Sequence, residues 1–446
     1  MHLDWAAGDG RGAVREGVLS THLGEAGVVR GADGLLAMAG VPFTAITEQV
    51  GTPTYCYDAA TIRERYHRLD AAFGALPHRI CYAVKANSNL AILTMMARLG
   101  AGADIVSGGE MLRALAAGFD PEDLVFSGVG KTDEELLAAI TAGVGHINVE
   151  SLAELRRLAM FADLRGATVK VGVRVNPDVT ADTHPYISTG KGGLKFGVPV
   201  DQLPEALHVI DESTGLRLDA LAMHLGSQLL ATAPYEAGVE RLLGLLADVR
   251  AAGHAPTVLD IGGGLGIRYR DEEPLDPAVW MATLADALAG SGCTVHVEPG
   301  RYLVGSAGVL LTRALYRKHS GGHDILVVDA AMNDLMRPSL YKAWHEIVPA
   351  EAVEGEATIT DIVGPVCETG DFLALERPLP PVQAGQLLAV LGAGAYGFAM
   401  SSNYNTRARA AEVLVDDGRW AVVRPRERLI DLFRDEIADP FADESP

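Results

Sequence analysis

Thr257-Val258-Leu259-Asp260-Ile261-Gly262-Gly263-Gly264-Leu265-Gly266 carries a short apolar run straight into a glycine loop. A run of that length bounded by glycine reads as a buried strand. Glycines beyond its end let backbone N–H groups approach an anion. Two α/β folds place such a loop there, the dinucleotide-binding sheet and the (β/α)8 barrel. The dinucleotide fingerprint fails, because after Gly262 and Gly264 its third glycine position is Ile267. In a barrel, phosphate-binding loops follow the seventh and eighth strands, so the number of strands before this one decides between them.

Outward from it, runs of the same kind occupy Ile80 to Lys85, Ala103 to Val106, Leu124 to Phe126, His146 to Val149, Val169 to Val175 and Leu218 to His224. Another follows at Thr294 to Val297. With Thr257 to Ile261 these make eight strands, of which the quoted stretch holds the seventh. Between them Leu90 to Leu99, Glu134 to Ala142, Leu152 to Met160 and Tyr235 to Arg250 repeat apolar residues three and four apart, as on a core-facing helix. Eight such units predict a (β/α)8 barrel, a TIM-like α/β architecture, although an open doubly wound sheet shares the rhythm.

We place the barrel at residues 58–305. Beyond it the runs Asp324 to Val328, Ala357 to Ile362, Gln386 to Leu391, Ala411 to Val415 and Trp420 to Val423 are separated by turn residues and read as mainly β. Residues 306–446, with N-terminal strands from about 35–57, form a β-sandwich or barrel domain. Residues 1–34 are expected to be a flexible extension, and the acidic tail from Asp439 to fray.

Composition excludes several classes of function. The 446 residues are 48% hydrophobic and 21% charged, enough apolar material for packed cores. A net charge of −21 repels a phosphate backbone, so nucleic acid is not an expected partner. The long uncharged stretch from Pro378 is interrupted by Arg-free Gly, Pro, Ser and Asn rather than built of lipid-compatible residues, so no membrane association is expected. Cys56, Cys81, Cys293 and Cys367 include no CxxC pair, so we expect no metal site and no disulfide framework, and reduced thiols fit a cytoplasmic location.

In a barrel the chemistry gathers at the C-terminal ends of the strands. The first run closes with Lys85, where desolvation would lower the amine pKa toward a nucleophile's range; taken alone, it reads sooner as a snorkelling surface lysine. His224 closes the sixth, with Ser227 three residues on. Glu298-Pro299-Gly300-Arg301 follows the eighth, and its bland reading is an ion pair between Glu298 and Arg301. Together, a Schiff-base lysine, a glycine phosphate loop and a carboxylate for a pyridine nitrogen describe what pyridoxal 5'-phosphate needs.

Tyr82-Ala83-Val84-Lys85-Ala86-Asn87, Ser127-Gly128-Val129-Gly130-Lys131-Thr132, His224-Leu225-Gly226-Ser227-Gln228 and the glycine and Glu298 loops recur in order with three further segments. These are Met336-Arg337-Pro338-Ser339-Leu340-Tyr341, Gly364-Pro365-Val366-Cys367-Glu368-Thr369-Gly370-Asp371 and Gly394-Ala395-Tyr396-Gly397-Phe398. From about Ala37 to Arg424 the chain resembles the fold-type III pyridoxal-phosphate decarboxylases, of alanine racemase-like fold, and within them the diaminopimelate decarboxylases.

The resemblance implies that Lys85 is the Schiff-base lysine, His224 stacks on the cofactor and Glu298 contacts its ring nitrogen. Ser227, Gly263, Gly264, Gly300 and Arg301 would surround the phosphate. Arg301, Arg337 and Tyr341 would hold a distal substrate carboxylate, and Tyr396 would serve both cofactor and substrate. Cys367, a proton donor, and Glu368, on the distal ammonium, would enter from the second subunit of a homodimer. The implied reaction converts meso-2,6-diaminopimelate to L-lysine and carbon dioxide, the last step of lysine biosynthesis. Two distal arginines suit a carboxylate and argue against ornithine or arginine. A decarboxylase of a related amino acid and a non-catalytic pyridoxal-phosphate binder are the alternatives. Ala408 and Thr369 stand where proline and serine are common in the family.

Overall fold

The computed structural model describes residues 16–177 and 195–440. They form two compact units: one holds the described residues up to Asp58 with Gly308–Ala393 and those from Met400 on, the other Ala59–Ala307 with Gly394–Ala399.

The second unit is a closed barrel of eight parallel strands, His78–Ala83, Gly102–Ile105, Leu124–Phe126, His146–Val149, Val169–Arg174, Leu216–Ala222, Val258–Asp260 and Thr294–Val297. Consecutive strands are neighbours, and closure comes from the eighth pairing with the first, Val295 opposite His78 and Val297 opposite Ile80. Local signals set the helices between them. Thr132 and Glu135 make a reciprocal capping box at the start of Asp133–Ala142, and left-handed Gly143 ends it. Ser151 caps Leu152–Arg165, which left-handed Gly166 stops.

The barrel axis is polar as well as apolar. His146 on the fourth strand stacks on His296 on the eighth, ring centroids 5.3 Å apart. Those strands lie on opposite walls, so both rings point inward. Burial pushes both imidazoles down, to about 4 for His146 and about 3 for His296. They are a neutral pair in the packed interior.

The first unit contains a nine-stranded sheet and a small three-stranded one. Its spine is Gly308–Ser320, thirteen residues long. The first half of that strand pairs with Thr54–Asp58 on one side and Leu387–Val390 on the other; the second half pairs with His323–Val328. Cys56, Val309, Leu311, Ala389 and Val413 from the large sheet share a core with Val28, Leu36 and Met38 from the small one.

Three expectations need correction. Residues 16–34 are not a loose extension: they form helix Glu16–Glu25 and strand Val28–Arg30, because Leu19, Leu23, Ala26 and Val28 pack into that shared core. Residues 1–15 and the tail from 441 lie outside the described residues. The first barrel strand ends at Ala83, and Lys85 sits in a single 3-10 turn, Val84–Ala86, beyond it. The long strand Gly308–Ser320 was not anticipated, since its second half, Tyr316-Arg317-Lys318-His319-Ser320, is largely exposed and carries no apolar run. Among the described residues no helix is long and apolar enough to cross a membrane.

Candidate active site

The C-terminal ends of several barrel strands, and the chain just beyond them, deliver the pieces of one cluster. Lys85, in the turn after the first strand, places its amine 2.6 Å from the Asp104 carboxylate on the second. Asp104 is fully buried and its other oxygen, Oδ1, has no hydrogen-bond partner among the described residues. The expected depression of the lysine pKa is not found. Burial does push the amine down, but the nearby Asp104 and Glu298 carboxylates and the Tyr396 hydroxyl more than reverse it, and the net shift is upward. Before it reacts, Lys85 is a cation.

Glu298, after the eighth strand, is buried and held well above the ordinary carboxyl range by burial and by its acidic neighbours Asp104 and Asp260. It does not pair with Arg301. Ser127, beyond the third strand, donates to its Oε1 at 3.4 Å, and Asn148 on the fourth donates to the Ser127 hydroxyl at 3.2 Å.

His224, beyond the sixth strand, accepts the Gly263 N–H at Nδ1, 3.1 Å away. The proton of the neutral ring therefore sits on Nε2. Burial, helped by the Arg174 and Lys85 cations, keeps its pKa well below the usual imidazole value. A neutral, pinned ring offers a flat apolar face.

The glycine loop is shaped for close backbone approach. A Cβ on Gly263 would collide with the Glu298 carbonyl; one on Gly264, at φ +110°, would lie 2.7 Å from the Gly226 carbonyl oxygen. Arg301 spans the next gap. Its Nε and Nη2 donate to the Ser227 hydroxyl at 3.3 and 3.0 Å, and Nη1 donates to the Tyr269 hydroxyl at 2.6 Å. The guanidinium also lies 4.9 Å from the centre of the Tyr396 ring. Tyr396 has φ +55°, and its N–H is tied to the Ala86 carbonyl at 2.8 Å.

The barrel unit thus brings together Lys85, His224, Ser227, Gly263, Gly264, Glu298, Gly300, Arg301 and Tyr396. The residues fit pyridoxal phosphate: an amine for its aldehyde, a buried carboxyl for its ring nitrogen, a pinned ring for its face and a backbone cradle that side chains would fill. Lys131, by contrast, is structural. Its amine donates to the Gly128 and Asn148 carbonyls and to Glu154, all within 2.8 Å.

The β unit carries the other four candidates. Arg337 is buried, and its Nη1 donates to His345 Nε2 at 2.8 Å, while His345 Nδ1 donates to the Leu391 carbonyl at 2.8 Å. Tyr341 closes the same short helix, Arg337–Tyr341. Ser339 on that helix donates to the Gly370 carbonyl, joining it to the loop 364–371. Asp371 fixes the loop by accepting from Met332 N and Val366 N, and Asn405 accepts from Cys367 N at 2.9 Å. Cys367 and Glu368 are nonetheless exposed, with the Tyr404 hydroxyl bonded to the Glu368 carboxylate.

Asp104, Asp260, Ser127 and Tyr269 were not singled out as site residues from the sequence. A signal existed for the first two, since a carboxylate near the C-terminal end of an otherwise apolar strand has no stabilising reason to be there.

Comparison with known proteins agrees with this chemistry. Residues 59–305 match the family model described as pyridoxal-dependent decarboxylase, pyridoxal binding domain. The chain is 48% identical to a diaminopimelate decarboxylase of Pseudomonas aeruginosa over 92% of this chain and 98% of that protein. It is 47% identical to one from Vibrio cholerae, again over 92% and 98%. Among solved structures, diaminopimelate decarboxylase from Helicobacter pylori complexed with L-lysine superposes with a TM-score of 0.85 at 38% identity, covering 88% of this chain and 98% of that one.

Proposed function

The chain belongs to the diaminopimelate decarboxylases among the pyridoxal-dependent decarboxylases, and from that premise we infer that it releases one α-carboxylate of meso-2,6-diaminopimelate as carbon dioxide and leaves L-lysine. That is the last step of lysine biosynthesis. The observation that carries the reading is near-complete mutual coverage with relatives of this activity at 47 and 48% identity.

Pyridoxal phosphate, when bound, supplies an electrophilic carbon for an amine and a sink for the electron pair left when carbon dioxide departs. The chain's residues do the rest. Lys85 would hold the cofactor through its amine, and Asp104, 2.6 Å from that amine, would keep it beside the site. His224 would pack its neutral ring against the cofactor, Glu298 would meet the ring nitrogen, and Ser227, Gly263, Gly264, Gly300 and Arg301 would take the phosphate.

Arg301, Arg337 and Tyr341 bind the substrate's distal carboxylate, and Glu368 its distal ammonium. Holding the far end fixes which of the two amino acid ends reacts, because remote binding energy orients the bond to be broken. Cys367 gives a proton to the carbon that has lost its carboxylate, and Tyr396 lines both ligands. The exposed Cys367 and Glu368 serve a second copy of the chain in a homodimer with shared sites, located in the cytoplasm.

The test is product analysis of the cofactor-loaded protein with meso-diaminopimelate, ornithine and arginine. Equal amounts of lysine and carbon dioxide from diaminopimelate alone are expected. Turnover of ornithine or arginine, or of none of the three, would sink the substrate assignment.

A further inference from the structure

Asp260 closes the seventh barrel strand and Glu298 follows the eighth, on adjacent parallel strands joined beyond their ends by Glu298 N donating to the Gly262 carbonyl at 2.9 Å. Asp260 has no solvent exposure and Glu298 very little. One Asp260 oxygen, Oδ1, accepts the Gly262 N–H at 2.8 Å; the other, Oδ2, has no donor from a separate group among the described residues. The two carboxyls lie within hydrogen-bonding reach of one another.

No cation is bonded to either carboxyl among the described residues. The Lys85 ammonium is committed to Asp104, and the Arg174 guanidinium to Glu150 at 3.0 Å. The remaining charged neighbour of both is the Asp104 carboxylate, which repels a second negative charge; the neighbouring Cys81 thiol is itself pushed up by burial and by these acids. Two adjacent buried carboxylates with no bonded cation do not both ionise. A hydrogen bond between them would require a proton, since two carboxylates have only acceptors.

We propose that Asp260 is a positioning residue for the decarboxylation: it shares one proton with Glu298 and so presents the cofactor's ring nitrogen with an acid that can protonate it. When the ring docks, the proton passes from Glu298 to the nitrogen, and Glu298 becomes the carboxylate that holds it there. Asp260 remains ionised, anchored by the Gly262 N–H. The proposal rests on the reading that Glu298 meets the ring nitrogen, but the proton it requires belongs to the cofactor-free protein and is measurable there.

Asp260→Asn and Glu298→Gln each put an amide N–H where the shared proton lay, leaving the remaining carboxyl ionised. Asn at 260 also keeps an oxygen for the Gly262 N–H. The infrared carbonyl band of a buried protonated carboxyl is recorded in cofactor-free protein at about pH 8, above the values of about 7 to which burial raises Glu110 and Asp334. One such band in the natural chain, lost in both variants, is the expected result. Its absence from the natural chain, or its survival in Asp260→Asn, overturns the sharing, and Glu298→Gln gives an independent reading should Asp260→Asn not fold.

Calorimetric titration with pyridoxal phosphate in buffers of different ionisation enthalpy then counts protons on binding. Natural chain and Asp260→Asn should differ by about one proton. Equal counts after the infrared loss would leave the shared proton intact and overturn the contact of Glu298 with the ring nitrogen.

Discussion

The barrel and the loop 364–371 of the β unit prepare their functional side chains in opposite ways, although Arg337 elsewhere in that unit is bonded to His345 as firmly as any barrel residue. In the barrel each is already bonded in place by its own unit: Lys85 to Asp104, His224 to Gly263, Arg301 to Ser227 and Tyr269. In the β unit the loop 364–371 is held through its backbone, by Asp371 and Asn405, while Cys367 and Glu368 turn outward. A preorganised site and a presented loop have different needs. The first works when a ligand arrives; the second needs another surface to complete it.

The sharpest break of this contrast is Lys85→Ala. It should lower turnover by about four orders of magnitude or more and abolish the yellow absorbance of the bound cofactor, with an unchanged far-ultraviolet circular dichroism spectrum. Persistence of the absorbance would remove Lys85 from its role.

The β side is probed by mixing. Lys85→Ala and Cys367→Ala should each be nearly inactive alone. After exchange of subunits, up to about a quarter of the natural activity should return, because half of the dimers are mixed and each has one intact site. No recovery in a mixture shown to exchange would place Cys367 in its own chain's site.

Smaller effects separate the two regions further. Glu368→Gln should raise KM for diaminopimelate about ten- to a hundredfold while cofactor affinity stays put. Ser227→Ala should do the reverse, weakening cofactor binding about tenfold as Arg301 loses its two hydrogen bonds, with little change in KM. An identical response of both variants in a cofactor titration would erase the contrast.

The smallest effect is on stability, and belongs to the barrel alone. His146 and His296 are held at about 4 and about 3, below the ordinary 6.5, with burial the largest cause in each. Groups depressed in this way contribute fully above pH 6.5, where both states are neutral. Below it the unfolded chain binds protons that the barrel refuses, so stability is lost as pH falls toward 4, at up to about 1.4 kcal/mol per pH unit for each ring. His146→Gln should make that acid limb shallower by about one proton in denaturant titrations at a series of pH values. Buried carboxyls with raised pKa values oppose the trend in both proteins, so the difference isolates the imidazole.

The barrel was legible because its signals are local. Strand runs, N-caps and glycine stops lie within a few residues of what they control, and all eight strands fell within two residues of their observed bounds. The chemistry at their ends was legible in residue type but not in partnership. Ser127 meets Glu298 across 171 positions and Arg301 meets Ser227 across 74, contacts that no periodicity encodes. Lys85 shows the cost: its partial desolvation was foreseeable, but the carboxylate on the next strand that reverses the sign of its pKa shift was not. In the β unit the same limit hid helix Glu16–Glu25, whose apolar residues mark out no single face, and the exposed half of Gly308–Ser320.

Gly394–Ala399 belongs to the barrel although the chain has by then made most of the β unit. Asn87 donates to the Gly394 carbonyl at 3.1 Å, and Tyr396 N–H to the Ala86 carbonyl, both just after Lys85. During translation, a ribosome that has released residue 307 has therefore made all eight strands but not the piece that buttresses the turn bearing Lys85. Some ninety more residues must emerge, at about 5–20 per second, before that turn is secured. For several seconds the nascent barrel carries its reactive amine, already paired with Asp104, on a turn whose second support has yet to be made.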